Sequence, residues 1–306
     1  MALYVRLVPT KRMGFFTKKD NNKTEEDFHD EWALSTHIED CDPIAQFSCA
    51  TSPEYRYVAD ALYPMNDKKI LVLGCGLGEE AVYCALQGAH VIALDISKRM
   101  LEHTANLARR HNVEMFICVL QGSAEQFQCE DGSLDAILAC NILHHVDIEK
   151  SLRCISRALK PGGLFVFSEP LAYNPLINIY RAMASRVRTD GEHPLTLKDI
   201  EVMKCFFPTL ELKTFHLFTL GIFVWFFAIE RIHPNSERYW KKIIYDALKY
   251  ERAFNVLSRI DNYLLRIFPF LSRFCWVIAG KGTKKFSVDS LDSAASDCHD
   301  NQSACQ

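Results

Sequence analysis

The chain is predicted to adopt an α/β fold, a doubly wound and mostly parallel sheet, and three observations support this. Short, continuously apolar segments alternate with segments of helical spacing between residues 65 and 170. Continuously apolar strands are typical of a parallel sheet that helices cover on both faces. Glycine and the turn Pro161-Gly162-Gly163 separate successive elements. A length of 306 residues, with 49% hydrophobic and 24% charged residues, suits a globular protein with a substantial core.

The elements follow from this alternation in chain order. Residues 31–50 and 53–63 have the apolar spacing of helices that precede the first strand. Strands are predicted near 69–73, 90–94, 115–119, 134–139 and 164–168, and helices near 79–87, 98–111, 124–128 and 148–158. Beyond Pro170, helices are predicted over 173–187 and 195–205, and two more strands over 210–220 and 274–279.

The pattern divides the chain into five segments. Residues 1–64 form a leader and helical cap, of which 1–30 is interpreted as a mobile leader. Residues 65–220 form the α/β core, with a substrate loop near 171–205. The remaining segments are a helical insertion at 221–273 rich in aromatic and basic residues, the last strand at 274–286, and a disordered tail at 287–306.

A glycine-rich turn follows the first strand. Three glycines in the spacing G-x-G-x-G separate Lys69-Ile70-Leu71-Val72-Leu73 from a helix-forming segment. Glycine lets a backbone turn sharply and lets a ligand approach closely, and the helix N-terminus adds unpaired N–H groups. This turn suits a nucleotide-like ligand. It is not the dinucleotide fingerprint G-x-G-x-x-G, because Glu79 follows Gly78 directly.

The second strand ends in a carboxylate, Asp95, which lies 17 residues beyond Gly78. An acid at this point accepts hydrogen bonds from the two hydroxyl groups of an adenosine ribose. The alternative is that Asp95 caps the following helix, but Ser97 is the better N-cap candidate. We therefore expect Asp95 to bind ribose.

Two further motifs complete a recognisable series. Gln121-Gly122-Ser123-Ala124-Glu125 precedes the fourth strand, which ends in Cys140-Asn141, and the fifth strand follows Lys160-Pro161-Gly162-Gly163. Together with the glycine turn and Asp95, these motifs resemble the class I S-adenosylmethionine-dependent methyltransferases over residues 65 to 170. The resemblance implies a seven-stranded sheet whose last two strands form an antiparallel edge hairpin, here with the helical insertion between them.

The resemblance also implies which residues hold the cofactor, S-adenosyl-L-methionine. Ser123 and Ala124 would pass the adenine ring, although the family often has Asp where Ser123 stands, and Asn141 would lie beside the sulfonium. The full set of cofactor-binding candidates is Gly74, Cys75, Gly76, Gly78, Asp95, Ile96, Ser123, Ala124 and Asn141.

His144, His145 and Glu169 are the catalytic candidates. Either histidine suits proton removal from the methyl acceptor near neutral pH. The alternative is that they serve packing and loop geometry. Glu169 follows the predicted fifth strand and is expected to face the substrate, where it would orient a hydroxyl or amine, or else bond to loop amides.

No metal is expected. The stretch 141–145 resembles the E-x-x-E-H pattern of quinone-type O-methyltransferases, which binds a divalent cation. Asn141 and His144 stand where that pattern has carboxylates, and a hard cation such as Mg²⁺ prefers oxygen ligands.

Composition bounds the partners and the location. The net charge of −3 does not indicate the excess of basic residues that is typical of nucleic-acid binding, so a small-molecule acceptor is expected rather than a nucleic acid. The insertion 221–273 is interpreted as a site of peripheral membrane contact, as an apolar entrance for the substrate, or as a packing element. Twelve cysteines without a C-x-x-C pair and no signal-peptide pattern indicate free thiols in a cytoplasmic protein.

The sequence thus predicts methyl transfer from S-adenosylmethionine to an oxygen, nitrogen or carbon of a small molecule, and a hydrophobic acceptor is compatible with the pattern. Two other functions stay open. One is a different S-adenosylmethionine-related transferase on the same fold, which would release methylthioadenosine. The other is a non-catalytic scaffold that binds the cofactor without turnover. Neither the acceptor nor the oligomeric state follows from the sequence.

Overall fold

A computed structural model describes residues 21–184, 188–189 and 191–285 of the chain. The expectations for residues 1–20 of the leader and for the tail 287–306 lie outside these residues. Within them, the predicted α/β architecture is confirmed, with helices before the first strand and a helical insertion between the last two strands.

A seven-stranded sheet forms the centre of the molecule, in the order β3-β2-β1-β4-β5-β7-β6. Strands β1 to β5 pair in parallel, whereas β7 pairs antiparallel with both β5 and β6. The strands are β1 (Lys69–Leu73), β2 (His90–Asp95), β3 (Ile117–Gln121), β4 (Leu134–Cys140), β5 (Leu159–Pro170), β6 (Glu211–Phe215) and β7 (Val277–Thr283).

Helices cover both faces of this sheet. In the described residues they are α1 (Asn21–Ser35), α2 (Pro43–Ser48), α3 (Pro53–Leu62), α4 (Glu79–Leu86), α5 (Lys98–Arg110), α6 (Ile148–Ala158), α7 (Pro175–Met183), α8 (Leu197–Phe206), α9 (Gly221–Ala228), α10 (Tyr239–Tyr245) and α11 (Ala247–Ile267). None of them is long and apolar enough to cross a membrane.

Alternate residues of each central strand face opposite sides, so the sheet contributes to two apolar cores. In β1, Ile70 and Val72 join a core with α3, α4, α5 and the insertion, whereas Leu71 and Leu73 join a core with α6 and α8. All four side chains are buried. Burial on both faces explains why the strand is apolar at every position.

Several elements differ from the predicted ones. Strand β5 begins five residues earlier than predicted, at Leu159, and β7 begins three residues later, at Val277. Residues 124–128 form a turn rather than a helix, because the buried side chains Ala124 and Phe127 hold this segment against the core. The helix expected over 31–50 is broken into α1, a short 3-10 turn and α2. Residues 21–30, which were assigned to a mobile leader, belong to α1. The predicted strand 210–220 ends at Phe215.

The early end of β6 has a local cause. His216 adopts a left-handed backbone conformation (φ +66°), which an extended strand cannot continue. The next three N–H groups, of Leu217, Phe218 and Thr219, donate to the carboxylate of Asp261 on α11 at 2.7 to 3.3 Å. These N–H groups therefore bond to a carboxylate of a distant helix instead of a neighbouring strand, and the chain continues into α9.

Candidate active site

The glycine turn after β1 adopts a conformation that favours glycine. Gly74, Gly76 and Gly78 have φ values of +68°, +50° and +94°. A Cβ at Gly74 would lie 2.7 Å from Ile142, and one at Gly78 would lie 2.7 Å from Thr104, so both glycines allow close packing. A Cβ at Gly76 would meet nothing within 4 Å. Gly76 therefore leaves open space where a ligand can approach the backbone.

Asp95, at the end of β2, is buried and is held by two backbone N–H groups. Gly76 donates to its Oδ2 and Ser97 donates to its Oδ1, each at 2.9 Å. Burial raises the pKa of Asp95, against these hydrogen bonds, which lower it. The helix α5 is capped by Ser97, whose Oγ accepts from the N–H of Met100 at 3.0 Å. Each oxygen of Asp95 keeps a lone pair for a further donor, such as a ribose hydroxyl.

A first cavity opens over the carboxyl ends of β1, β2 and β4, the usual ligand position of such sheets. It brings together eight of the nine residues predicted to bind cofactor: Gly74, Cys75, Gly76, Asp95, Ile96, Ser123, Ala124 and Asn141. Gly78 does not line the cavity, because it is the N-cap residue of α4 and packs against Thr104 on α5.

Helix α1 and the insertion also line this cavity, and the sequence reasoning missed both. Glu25, His29 and Trp32 project from α1, and Trp240 and Lys241 project from α10. The rings of Trp32 and Trp240 meet edge to face with centroids 5.9 Å apart. The spacing of Glu25, His29 and Trp32 (i, i+4, i+7) places them on one helix face. This signal is present in the sequence, but the interpretation of residues 1–30 as a leader left it unused.

Helix α4 begins with two acids beside the glycine turn. Glu79 pairs with the buried Lys241, which reaches it from the insertion. Burial and the neighbouring Glu79 raise the pKa of Glu80 to about 7, and the Nε2 of Gln46 donates to Glu80 at 2.8 Å. Both acids line the first cavity.

A second cavity adjoins the first and is enclosed by α1, α3, α7, α9 and α10. Its lining combines arginines, histidines and aromatic rings. Six residues line both cavities: His29, Trp32, Tyr55, Asn141, His145 and Trp240. The two spaces therefore meet at these side chains.

Asn141 and Tyr55 lie at this junction. Asn141 follows β4 with a left-handed backbone (φ +54°), which Asn tolerates better than most residues. Its Nδ2 donates to the hydroxyl of Tyr55 at 3.1 Å. The β4 end is thus turned so that one polar side chain faces both cavities.

His144 lines the second cavity and is oriented by a carboxylate. Its Nδ1 lies 2.6 Å from Oε2 of Glu169. Because the Glu169 carboxylate accepts, Nδ1 carries the proton and Nε2 is left as the acceptor. Burial, and then repulsion from His145, lowers the pKa of His144. Among the described residues, Nε2 has no hydrogen-bond partner.

Glu169 does not face the substrate as predicted. It lies within β5, is fully buried and lines neither cavity. Its Oε1 accepts from the N–H groups of Ile142 and Leu143 at 2.8 and 2.7 Å. Glu169 therefore holds the loop that follows β4 as well as the imidazole of His144. This matches the alternative that Glu169 bonds to loop amides.

His145 lies at the junction beside Glu25. Burial disfavours its charged form, but Glu25 outweighs this and the pKa of His145 is raised. The pKa of Glu25 is in turn lowered despite burial, because His145 and His29 stabilise its anion. The Nδ1 of His145 lies 3.3 Å from Oε2 of Glu25, without the alignment of a hydrogen bond. The two groups are therefore close enough for an ion pair, although the geometry is not that of a hydrogen bond.

Two groups of three side chains are close enough to hold a metal ion: Glu25, His29 and His145, and His144, His145 and Glu192. Their carboxylates come from α1 and from the loop after α7, so a reading of residues 141–145 alone could not foresee them. Glu192 is already paired with Arg188, whose Nε lies 2.5 Å from its Oε2. The expectation that no metal is bound remains a prediction.

Nine of the described cysteines are free thiols, including Cys75 and Cys140 in the first cavity. Burial raises the pKa of both well above the usual value, so neither is set up as a nucleophile. Cys205 is disulfide-bonded, contrary to the expectation that the thiols are free.

Comparisons with known proteins agree with this geometry. Residues 71–167 match a family model described as a methyltransferase domain. The chain is 32% identical over 148 residues to the sarcosine/dimethylglycine N-methyltransferase of Halorhodospira halochloris, covering 48% of this chain and 51% of that protein. It is 34% identical over 116 residues to a ubiquinone biosynthesis O-methyltransferase of Alkalilimnicola ehrlichii, covering 37% and 45%. The chain thus spans about half the length of these curated relatives.

Among solved structures, the fold resembles the geranyl diphosphate C-methyltransferase of Streptomyces coelicolor A3(2), with a TM-score of 0.52 and 13% identity. The match covers 75% of this chain and 77% of that chain. At this identity, the likeness bears on the fold alone.

Proposed function

We propose that the chain is a class I S-adenosylmethionine-dependent methyltransferase and that it methylates a small, partly apolar acceptor held in the second cavity. The observation that carries this proposal is the junction of the two cavities. A cavity with the features of a cofactor site meets a second one at six shared side chains, and an oriented histidine stands beside them.

The residues of the first cavity fit the cofactor. Gly76 leaves open space at its Cβ position, and Asp95 offers carboxylate lone pairs beside it. Ser123 and Ala124 line the same cavity, which supports their proposed contact with adenine, and Asn141 lies at the junction. When bound, S-adenosylmethionine supplies a methyl group activated by its positive sulfur.

The protein then has to orient the acceptor and remove its proton. His144 suits this because Glu169 fixes the ring and its tautomer, which leaves Nε2 as a base. Its lowered pKa keeps the imidazole neutral near pH 7. Proton removal by a positioned base contributes about 10²- to 10⁴-fold to a rate. His145 is the poorer base, because its raised pKa favours the protonated form.

Activity screening tests the proposal directly. The full chain would be incubated with methyl-labelled S-adenosylmethionine and a cell metabolite extract, and labelled products would be identified by mass spectrometry. We expect S-adenosylhomocysteine together with one labelled small molecule. Asp95→Ala is the matched control and should give neither product. Methylthioadenosine in place of S-adenosylhomocysteine would identify a different transferase, and cofactor binding without turnover would identify a scaffold.

We also propose that the insertion contacts an anionic membrane surface at its periphery. Helix α11 buries only Tyr250, Phe254 and Asp261. Four apolar residues on another side, Val256, Ile260, Tyr263 and Ile267, are 43% to 65% exposed and follow helical spacing. A helix with an exposed apolar stripe and basic neighbours is typical of interfacial binding.

The basic residues of this surface are Arg252, Arg259 and Arg266, which are exposed and seven residues apart along α11. Lys241 is not available to lipid, because it is buried and paired with Glu79. A basic residue near an anionic surface contributes about 1 kcal/mol, so three should change vesicle binding by about 100-fold.

Co-sedimentation with vesicles of anionic and of neutral phospholipid measures this contact. The triple variant of Arg252, Arg259 and Arg266 to Gln should release the protein, whereas a control variant of exposed Lys98 and Arg153 to Gln should not. Binding of the wild type should weaken as salt rises. If the wild type does not bind anionic vesicles at low salt, the insertion is a packing element.

A further inference from the structure

Three arginines line the second cavity: Arg181 on α7, Arg188 in the loop that follows, and Arg238 directly before α10. Two carboxylates face them from the lining, those of Glu54 and Glu192. A cavity lined in this way carries more cationic than anionic side chains, even before its histidines are counted.

Both carboxylates are already engaged. Glu54 accepts from Nε2 of His216 at 2.7 Å. Glu192 pairs with Arg188, and its Oε1 also accepts from the N–H of Thr189 at 3.3 Å. Arg181 and Arg238 are therefore left without a carboxylate partner among the described residues.

The guanidinium groups of these two arginines have few hydrogen-bond acceptors. Nη1 of Arg181 donates to the carbonyl of Leu171 at 3.1 Å and to Asn178 at 2.8 Å, but its Nη2 is buried without a hydrogen-bond partner. The guanidinium of Arg238 stacks 4.2 Å from the ring centroid of Trp32. It makes no hydrogen bond or ion pair with any described residue.

Arg181 and Arg238 are both partly buried, and the Nη2 of Arg181 is buried without an acceptor, which costs free energy unless a ligand supplies one. Burial lowers the pKa of Arg181 to about 10 and that of Arg238 in the same direction. Both groups also lie within electrostatic range of Glu192, so they belong to one end of the cavity. The planar fork of a guanidinium matches a carboxylate, which can accept two parallel N–H bonds.

The rest of the lining is largely apolar. Ile177, Phe223 and Ile243 are buried side chains of the cavity wall, and Tyr180 and Trp276 add aromatic rings. Trp32, under Arg238, also lines the cofactor cavity. An acceptor bound to Arg238 would thus lie beside the junction while its carbon skeleton contacts the apolar wall.

We propose that the methyl acceptor is an apolar molecule that carries a carboxylate, and that Arg181 and Arg238 bind this group. The inference rests on the proposed function and names the class of its acceptor. It assigns Arg238 and Arg181 to acceptor recognition, apart from the residues that hold the cofactor.

The experiment compares acids with their uncharged counterparts. Three probe pairs would be titrated into the full chain saturated with S-adenosylhomocysteine: hexanoate and hexanol, benzoate and benzyl alcohol, and 4-phenylbutyrate and 4-phenylbutanol. Binding is followed by calorimetry and by tryptophan fluorescence, since Trp32 and Trp240 line the site. At least one acid should bind about ten- to a hundredfold more tightly than its alcohol.

Arg238→Gln is the principal variant, because the Arg238 side chain makes no hydrogen bond whose loss would affect folding, and its backbone carbonyl still accepts from Lys241 and Lys242. It should remove the preference for the acid and leave the affinity for S-adenosylhomocysteine unchanged. Arg153→Gln, at an exposed arginine on α6, is the matched control and should behave as wild type. Arg238→Lys should restore the preference only in part, because lysine lacks the fork.

Three outcomes would overturn the proposal: no acid binds more tightly than its alcohol, Arg238→Gln keeps the preference, or phenyl phosphate binds more tightly than every acid. The last result would reassign the site to a phosphate. Failure of the proposed function is distinguishable, because it appears as lost cofactor binding or absent methyl transfer in the wild type.

Discussion

Replacement of Asp95 by Ala gives the sharpest test of the cofactor site. The carboxylate is buried at the end of β2 and accepts one N–H bond at each oxygen, from Gly76 and Ser97. Two ribose hydroxyls can occupy the remaining lone pairs. Hydrogen bonds to a charged group contribute about 1.5–3 kcal/mol each, so two amount to about 3–6 kcal/mol. Affinity for S-adenosylhomocysteine should therefore fall by about 10²- to 10⁴-fold.

The loss of the Gly76 and Ser97 contacts could lower affinity without any ribose contact, so a cycle with a cofactor analogue is needed. Calorimetry would compare S-adenosylhomocysteine with its 2′,3′-dideoxy analogue in wild type and in Asp95→Ala. The wild type should lose most of its affinity on removal of the hydroxyls, and the variant should lose little more. Equal losses in the two proteins would refute ribose binding by Asp95.

Ser97→Ala separates the helix cap from the ligand. It removes the acceptor of the Met100 N–H at the start of α5, which should cost about 1 kcal/mol of folding free energy. Because Ser97 offers its backbone N–H to Asp95, and this group remains, cofactor affinity should be little changed. Denaturant unfolding and calorimetry measure the two effects separately.

Three further predictions concern the same site. His144→Gln should lower turnover by about 10²- to 10⁴-fold at unchanged cofactor affinity. It should also remove the acidic limb of the pH profile, and in the wild type the midpoint of this limb should lie below the usual pKa of histidine, because the pKa of His144 is lowered. Near-normal turnover in the variant would show that His144 is structural. The pKa of Glu80 is raised from 4.5 to about 7, so the folded protein retains a proton that the unfolded chain releases, and stability should fall as pH rises between these values. Denaturant unfolding of Glu80→Gln should lack this slope. Gly76→Val should abolish S-adenosylhomocysteine binding and lower the melting temperature somewhat, because valine is strained at φ +50°. Gly78→Val should lower the melting temperature further, because its side chain would also collide with Thr104. Tight binding by Gly76→Val would contradict close approach of the ligand to the glycine turn.

The cofactor half of the site could be predicted because its residues lie next to one another in the sequence. The glycine turn and Asp95 each follow directly from a strand, and the carboxyl ends of neighbouring parallel strands meet at one edge. Local spacing therefore predicts where the ligand would bind. Gly78 was the exception. This glycine allows α4 to pack against α5, and only the short distance from its Cβ position to Thr104 shows this.

The acceptor half could not be read in the same way. Glu169 was expected to face the substrate because it follows an apolar run, but β5 extends through Pro170 and turns this side chain toward the loop after β4. Arg181 and Arg238 are separated by more than fifty residues of chain. No local pattern indicates that both line one cavity.

The sequence by itself determined the alternation of strands and helices, the cofactor edge of the sheet and the position of the insertion, because each depends on apolar periodicity or on residues adjacent in the chain. Only the tertiary structure decided that α1 and α10 close over the cofactor cavity, that Glu169 orients His144, and that two arginines stand without a carboxylate partner in the described part of the chain. These features depend on burial and on contacts between distant segments. Pairing and desolvation set the chemistry of a charged group, and neither is visible until the chain is folded.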